Sequence, residues 1–259
     1  MNNTLFWRVG ALVAFSLNLT LINAQTVQIG VSGSFNQSKI IFKDAELPPG
    51  SGLYISVTPG YRFAIPVELG FGKYFALQPE LAYSRQGTDY SLSIYEYTGS
   101  YSYQYNEISK LNYSSVEIPL LLKFKLGTPL FKASLQAGPY FSLGLSGERY
   151  VYASEFTRYS SGFELFNEYE GTYPLQFLSD GYREEDLEGQ ADAFSRFSYG
   201  LQFGTSGSFH FGRIALFLEI RYLLGLSDLH PELQNEPDNT NAQLRSTSLG
   251  LGIMMKLGG

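Results

Sequence analysis

The run Tyr61–Gln86, YRFAIPVELGFGKYFALQPELAYSRQ, decides how the rest of the chain is read. Tyr61, Phe63, Ile65, Val67, Leu69 and Phe71 alternate with Arg62, Ala64, Glu68 and Gly70. After Gly72-Lys73-Tyr74 the pattern resumes, with Phe75, Leu77, Leu81 and Tyr83 set against Gln78, Glu80, Ser84 and Gln86. A period of two puts one set on each face of a strand, whereas a helix would need apolar residues at every third or fourth position. A three-residue break containing Gly makes the pair a hairpin.

Six further segments repeat the pattern. Val27–Asn36 sets Val27, Ile29, Val31 and Phe35 against Gln28, Gly30, Ser32 and Ser34. Ser115–Leu126 sets Val116, Ile118, Leu120, Leu122 and Phe124 against Glu117, Pro119, Lys123 and Lys125. Phe131–Leu145, Phe197–Phe209, Ile214–Leu226 and Thr247–Leu257 alternate in the same way. Their connections alternate too. Gly72–Tyr74, Gly127–Leu130 and His210–Arg213 are short, while Ile41–Gly60, Gly87–Asn112, Ser146–Arg196 and Ser227–Ser246 are long and polar. Long connections on one side, with short turns and both termini on the other, predict an all-β fold. It is an eight-stranded antiparallel up-and-down transmembrane β-barrel with short periplasmic turns and long extracellular loops. Leu53, Ile55 and Val57 extend the second strand in phase, and Tyr90–Tyr105 suits a hairpin rising from the third and fourth.

Alternation does not itself say which face meets which medium. A soluble, lipocalin-like barrel would turn the apolar face inward around a ligand. Three features favour lipid outside. The polar face is rich in Gly, Ser and Ala and carries Arg62, Glu68, Glu80, Glu117, Lys123, Lys132, Glu219 and Arg221, which form a predicted interior charge network. An eight-stranded interior is just wide enough for side chains to fill it. Aromatic residues gather at strand ends, Phe71, Tyr74, Phe75, Phe124, Phe131, Phe209 and Phe211 by the short turns and Tyr61, Tyr83, Phe141, Phe197 and Tyr222 at the opposite end. They form two candidate girdles. The segments are also long enough for a tilted span of about 9–11 residues. Arg85 falls on the lipid phase, but near the long-loop end, where its stem can reach the interface.

Residues 1–24 read as a signal peptide: Arg8 as the positive region, Val9–Ile22 as the apolar stretch, and Asn23-Ala24 before cleavage, leaving Gln25 first. Residues 25–259 then form one barrel domain, with no internal repeat. No Cys follows the cleavage point, so no acylated lipoprotein is expected, and the chain lacks cysteine altogether. That excludes thiolate catalysis, disulfides and Cys-ligated metal. The two histidines, His210 and His230, fall at opposite ends of the expected barrel and cannot share a site. The Gly-rich run from Gly200 to Gly212 lies on a strand with no helix after it, so it is no phosphate loop. With net charge −6 and no basic patch, nucleic acid is not an expected partner. Interior carboxylates with Arg and Lys beside them are read as structural pairs rather than catalytic ones. No enzyme, cofactor or metal site is expected.

The long loops hold the remaining signal. Ser146–Arg196 has eleven acids against four bases, a deficit larger than the net −6 of the whole chain. Tyr95, Tyr97, Tyr101, Tyr103 and Tyr105 cluster in the second loop, and Tyr150, Tyr152, Tyr159, Tyr169, Tyr173 and Tyr182 in the third. Tyr combines apolar area with a hydrogen-bonding tip, as in binding loops, although a self-packed cap would use it equally well. The expectation is a non-enzymatic barrel whose loops bind a partner, a glycan or a divalent cation, or brace an envelope or secretion assembly. Outer-membrane lipid and lipopolysaccharide would surround it. A small-solute channel and a lipid-modifying enzyme are the alternatives.

Pro59–Gly87, PGYRFAIPVELGFGKYFALQPELAYSRQG, and Val116–Phe124, VEIPLLLKF, resemble the outer membrane protein β-barrel domain family, which includes porin-family and PorT-like proteins. LQAGPYFSLGL at Leu135–Leu145 and LEIRYLLGLSDL at Leu218–Leu229 continue the likeness. The resemblance implies an integral outer-membrane barrel and carries no catalytic residues. Such barrels usually end on an aromatic residue, whereas this sequence ends Lys256-Leu257-Gly258-Gly259.

Overall fold

The computed structural model describes residues 26–43, 50–179, 192–230 and 241–257. The expected leader, its cleavage point and Gly258-Gly259 lie outside them. Among the described residues the regular elements are ten strands: β1 (Thr26–Lys43), β2 (Gly52–Phe71), β3 (Phe75–Thr98), β4 (Tyr101–Gly127), β5 (Phe131–Tyr159), β6 (Glu164–Leu178), β7 (Asp192–Ser195), β8 (Phe197–Phe211), β9 (Ile214–Gly225) and β10 (Asn241–Leu257). Antiparallel pairings run from β1 through β2, β3, β4, β5, β8, β9 and β10, and β10 pairs back with β1, so the sheet closes on itself. Closure leaves no strand edge within the ring. β6 pairs only with the far half of β5 and, in parallel, with β7; both lie outside the circuit.

The segments read from the sequence lie in β1–β5 and β8–β10, and several strands run far beyond them. β4 has 27 residues, about 90 Å at ~3.3 Å per residue, where a tilted crossing needs about 9–11 residues. The far parts of β2–β6 therefore stand above one side of the ring as a five-stranded wall. β6 and β7 fall in the acidic stretch that the sequence reading leaves as loop. The short turns are tight because Gly72 and Gly212 adopt φ of 65° and 62°, a left-handed conformation available to Gly at no Cβ cost.

Alternation holds along the ring. Leu218 and Ile220 are 55% and 51% exposed, while Glu219 and Arg221, which alternate with them, are 3% and 4% exposed. Phe63, Ile65, Leu122, Leu135 and Leu251 face outward, and Ala64, Ala82, Ser84, Ser115 and Ser142 face the lumen. Leu69 departs from its outward set in being fully buried. Aromatic pairs mark both rims: Phe75–Phe124 and Phe131–Phe209, with centroids 5.5 and 5.0 Å apart, by the short turns, and Tyr61–Tyr83 and Phe141–Phe197, 6.3 and 6.1 Å apart, at the other end. Arg85 sits at that second rim, half exposed, with Glu148 at 3.7 Å.

Two irregularities reset the alternation above the ring. A register shift between Val57 and Tyr61 places Leu53 and Ile55 opposite Leu92 and Tyr90. They therefore leave the outward phase expected for them and join the face that continues the lumen. On β5 the ladder steps from Gly144 to Ser146, leaving Leu145 unpaired, and beyond it Val151 and Ala153 are buried. One extra residue moves every later side chain to the other face.

Candidate functional site

The lumen is built in layers. Its centre is a network of side chains from facing strands. Arg62 on β2 donates to Glu80 on β3 at 2.6 Å and to Glu117 on β4 at 3.2 Å. Arg221 on β9 donates to both Glu80 oxygens, at 2.8 and 2.6 Å, and to Glu219 at 2.7 Å. Gln86 donates to Glu117 at 2.8 Å. Towards the short turns Glu68 accepts from Lys123 at 2.9 Å and from Lys125 at 2.7 Å, and Lys123 also reaches Gln78, which joins Glu80. Four cations thus meet four carboxylates, all buried. Compensation of this kind is what buried charge requires, because an unpaired ion in low dielectric is very costly.

Seven of the eight residues proposed from the sequence therefore meet in this network. Lys132 does not: it lies half-buried near the short turns, outside the ion pairs, and Lys125 takes the place expected of it. Both lysines sit on the polar phase of neighbouring strands, and only the register decides which reaches Glu68. His210 and His230 lie far apart, His210 bound to Ser208 at 3.0 Å by the short turns and His230 beside Phe42 at the opposite end.

Above the network lies a cavity of about 20 Å3 bordered by Asn36, Gln202, Ser246 and Ser248, with room for about one water. The Asn36 Oδ1, Gln202 Oε1 and Arg221 Nε atoms have no protein partner, which fits a water there. Over it an apolar cluster lies across the bore. Leu175 and Phe177 of β6, Phe194 of β7 and Leu229 pack on Tyr113, Tyr140, Leu223 and Leu244 of the ring. Phe194 lies 5.0 Å from Tyr113 and 5.6 Å from Phe177, ring to ring. Gly144 admits the Phe177 ring, and a Cβ at Gly147 would sit 2.6 Å from Leu175. The signal for this plug was the alternating TYPLQFL at residues 172–178, inside a stretch whose acidity suggested solvent.

The wall carries the tyrosines. Tyr105 donates to Glu107 at 2.7 Å and meets Tyr169 of β6, hydroxyl to hydroxyl, at 2.7 Å. Tyr150 and Tyr152 donate to Glu170 and Glu168, each at 2.8 Å. Burial pushes the Glu107 carboxyl up, but hydrogen bonds from Ser109 and Tyr105 and the charge of Arg149 outweigh it and hold the group below the usual carboxylate range. Asp192 lies 3.3 Å from Arg149, at an angle unsuited to a hydrogen bond, and there burial prevails and raises its pKa. Tyr54 and Tyr97 project from the wall, each 72% exposed.

A closed antiparallel ring, apolar outside and charged inside, defines an integral membrane β-barrel. The chain belongs to the outer membrane protein β-barrel domain family, whose match covers residues 23–230. Membership implies the outer membrane. No curated protein matches the chain. Similar solved structures include the outer membrane protease OmpT of Escherichia coli (11% identity, 90% of this chain and 97% of that one, TM-score 0.45). OprG of Pseudomonas aeruginosa (13%, 92% and 98%, 0.41) and Ail of Yersinia pestis, solved with the heparin analogue sucrose octasulfate (10%, 88% and 99%, 0.35), are also similar.

Proposed function

We propose that this chain is a non-conducting, non-enzymatic outer-membrane barrel that acts through the wall it raises outside the membrane. Eight strands, β1–β5 and β8–β10, cross the bilayer; the short turns face the periplasm and the wall faces outward; residues 1–24 direct export. The observation that carries this reading is the contrast between lumen and wall. The bore is filled by balanced ion pairs and capped by Phe177 and Phe194, while β2–β6 run well past the membrane and expose Tyr54, Tyr95, Tyr97, Phe163 and Phe166. Exposed aromatic area of that kind marks an interaction surface, here for an envelope protein. A photo-crosslinking residue at Tyr97 or Tyr54 should trap one discrete protein adduct in cells, and one at Leu218 should trap none. Equal adducts at all three positions, or none at any, would defeat the partner-binding reading. Large, stable single-channel steps would defeat the sealed lumen and favour a solute channel.

A further inference from the structure

The central network leaves a surplus at one end of the lumen. Its four cations and four carboxylates balance without Lys132, Lys256 or His210, all of which lie on the lumen face of their strands by the short turns. Lys256 shares a row with Gln28 and Glu68 through the β10–β1 and β1–β2 ladders. Lys132 stands opposite Ser208, which holds the His210 ring at 3.0 Å. Lys132 lies in the field of Lys125 and Lys256, and His210 in the field of Lys132, Lys125 and Lys123. Among the described residues Glu68 is the one carboxylate acting on either group, and it already holds two ammonium ions.

We propose that this short-turn mouth is an anion site that takes a phosphate group between Lys132 and Lys256. Charges of one sign inside a low-dielectric rim focus their field and raise the local concentration of counter-ions. Among the described residues neither amine has an ion-pair partner, and two such charges call for an anion carrying more than one charge, which a single carboxylate cannot supply and a phosphate monoester can. Lysine serves phosphate well as a mobile point charge with three donors. Gln28 and Ser208, on the same face, are the neutral groups nearest the pair by register. The phosphate can come from a lipid whose headgroup is a phosphate monoester at the rim or from a soluble phosphate monoester. The site is defined by the turns, so it stands whichever side of the membrane they face and does not depend on the partner-binding role.

The mature chain is refolded in zwitterionic micelles, with its lysines carrying 13C-methyl labels, and titrated with inorganic pyrophosphate. A second arm uses nanodiscs of phosphatidylcholine with and without phosphatidic acid. The expected result is a saturable shift of two lysine signals that are missing from Lys132→Met/Lys256→Met; the affinity, read in every variant from the 31P signal of the pyrophosphate, is weakened at least tenfold in that double variant and less than twofold in Lys73→Gln/Arg213→Gln, whose positions lie in the turns. Heat-resistant gel migration confirms that each barrel is folded, and single Lys132→Gln replaces the double variant if that one fails. Saturation by pyrophosphate assigns a soluble phosphate, and a response to phosphatidic acid alone assigns a headgroup. No saturable shift in either arm, or equal weakening by both double variants, overturns the proposal.

Discussion

Arg221 reaches across the bore to Glu80, donating from both terminal nitrogens to the two carboxylate oxygens at 2.8 and 2.6 Å. β9 and β3 stand four places apart in the closed circuit of strands, so the fork spans the ring from one wall to the other. Arg62 holds the same carboxylate from β2. A side-chain bridge across the diameter obstructs the bore, and ion flow in planar bilayers should be negligible. Removing Phe177 and Phe194 together with Ser substitutions should leave conductance near zero, since the bridge below the plug remains. General porin-sized steps from that variant would show that the bridge is no barrier.

Glu80→Ala should be far more damaging than loss of one surface ion pair. It strips two buried guanidinium groups of a shared acceptor, and breaking a buried pair costs about 3–5 kcal/mol. Urea unfolding in micelles reads this directly. A loss below about 1 kcal/mol, the size typical of a surface pair, would mean that water already satisfies Arg62 and Arg221.

Leu218, Glu219 and Ile220 test the faces of the ring. Leu218→Lys should destabilise the barrel by about 2–4 kcal/mol if it lies near the midplane. Cys at 218 and 220 should react with a lipid-phase probe, and Cys at 219 should not. The reverse pattern would place the apolar face inside.

Labelling tests the proposed topology. A tag inserted at residues 160–162, the tip of the β5–β6 hairpin, should be labelled on intact cells. A tag at residues 128–130, in the turn between β4 and β5, should be labelled only after the outer membrane is breached. Equal labelling would remove the orientation proposed for the chain.

The strands of the ring were legible because a half-buried strand writes its environment into every second residue, as in Leu218–Glu219–Ile220–Arg221. What was not legible turned on single-residue offsets or on distant partners. Leu53 and Ile55 keep an apolar alternation, yet the shift at residues 57–61 exchanges their face, and no local residue announces it. Lys125 and Lys132 look alike in sequence, and only strand register sends Lys125 to Glu68. Leu175 and Phe177 sit among acids that suggested a solvated loop, because their burial comes from Tyr113 and Gly144, far away in the chain.

Glu107 and Asp192 should give the wall and the plug opposite responses to acid. Glu107 is held below the usual carboxylate range in the folded wall by Ser109, Tyr105 and Arg149, against the pull of burial. A depressed folded pKa contributes stability that is complete above the unfolded value and lost as pH falls through the folded one. The wall around Tyr105 should therefore stay firm from neutral pH down to the ordinary glutamate range and loosen only below it. Asp192 is raised by burial, which exceeds the attraction of Arg149. Its ionised form is disfavoured in the fold, so stability at β7 grows as pH falls through the raised folded value and levels off below the unfolded one. On acidification β7 should thus tighten before the wall loosens. Hydrogen exchange quenched from a series of pH values, corrected for intrinsic rates and followed at residues 101–110 and 192–195, reads both. Asp192→Asn should flatten the second response and leave the first, whereas Glu107→Gln should flatten the first and move the second to lower pH, because the Glu107 charge helps to raise the Asp192 carboxyl. Simultaneous loosening of both segments, unaltered by either substitution, would assign the acid response to the barrel as a whole and not to these two carboxyls.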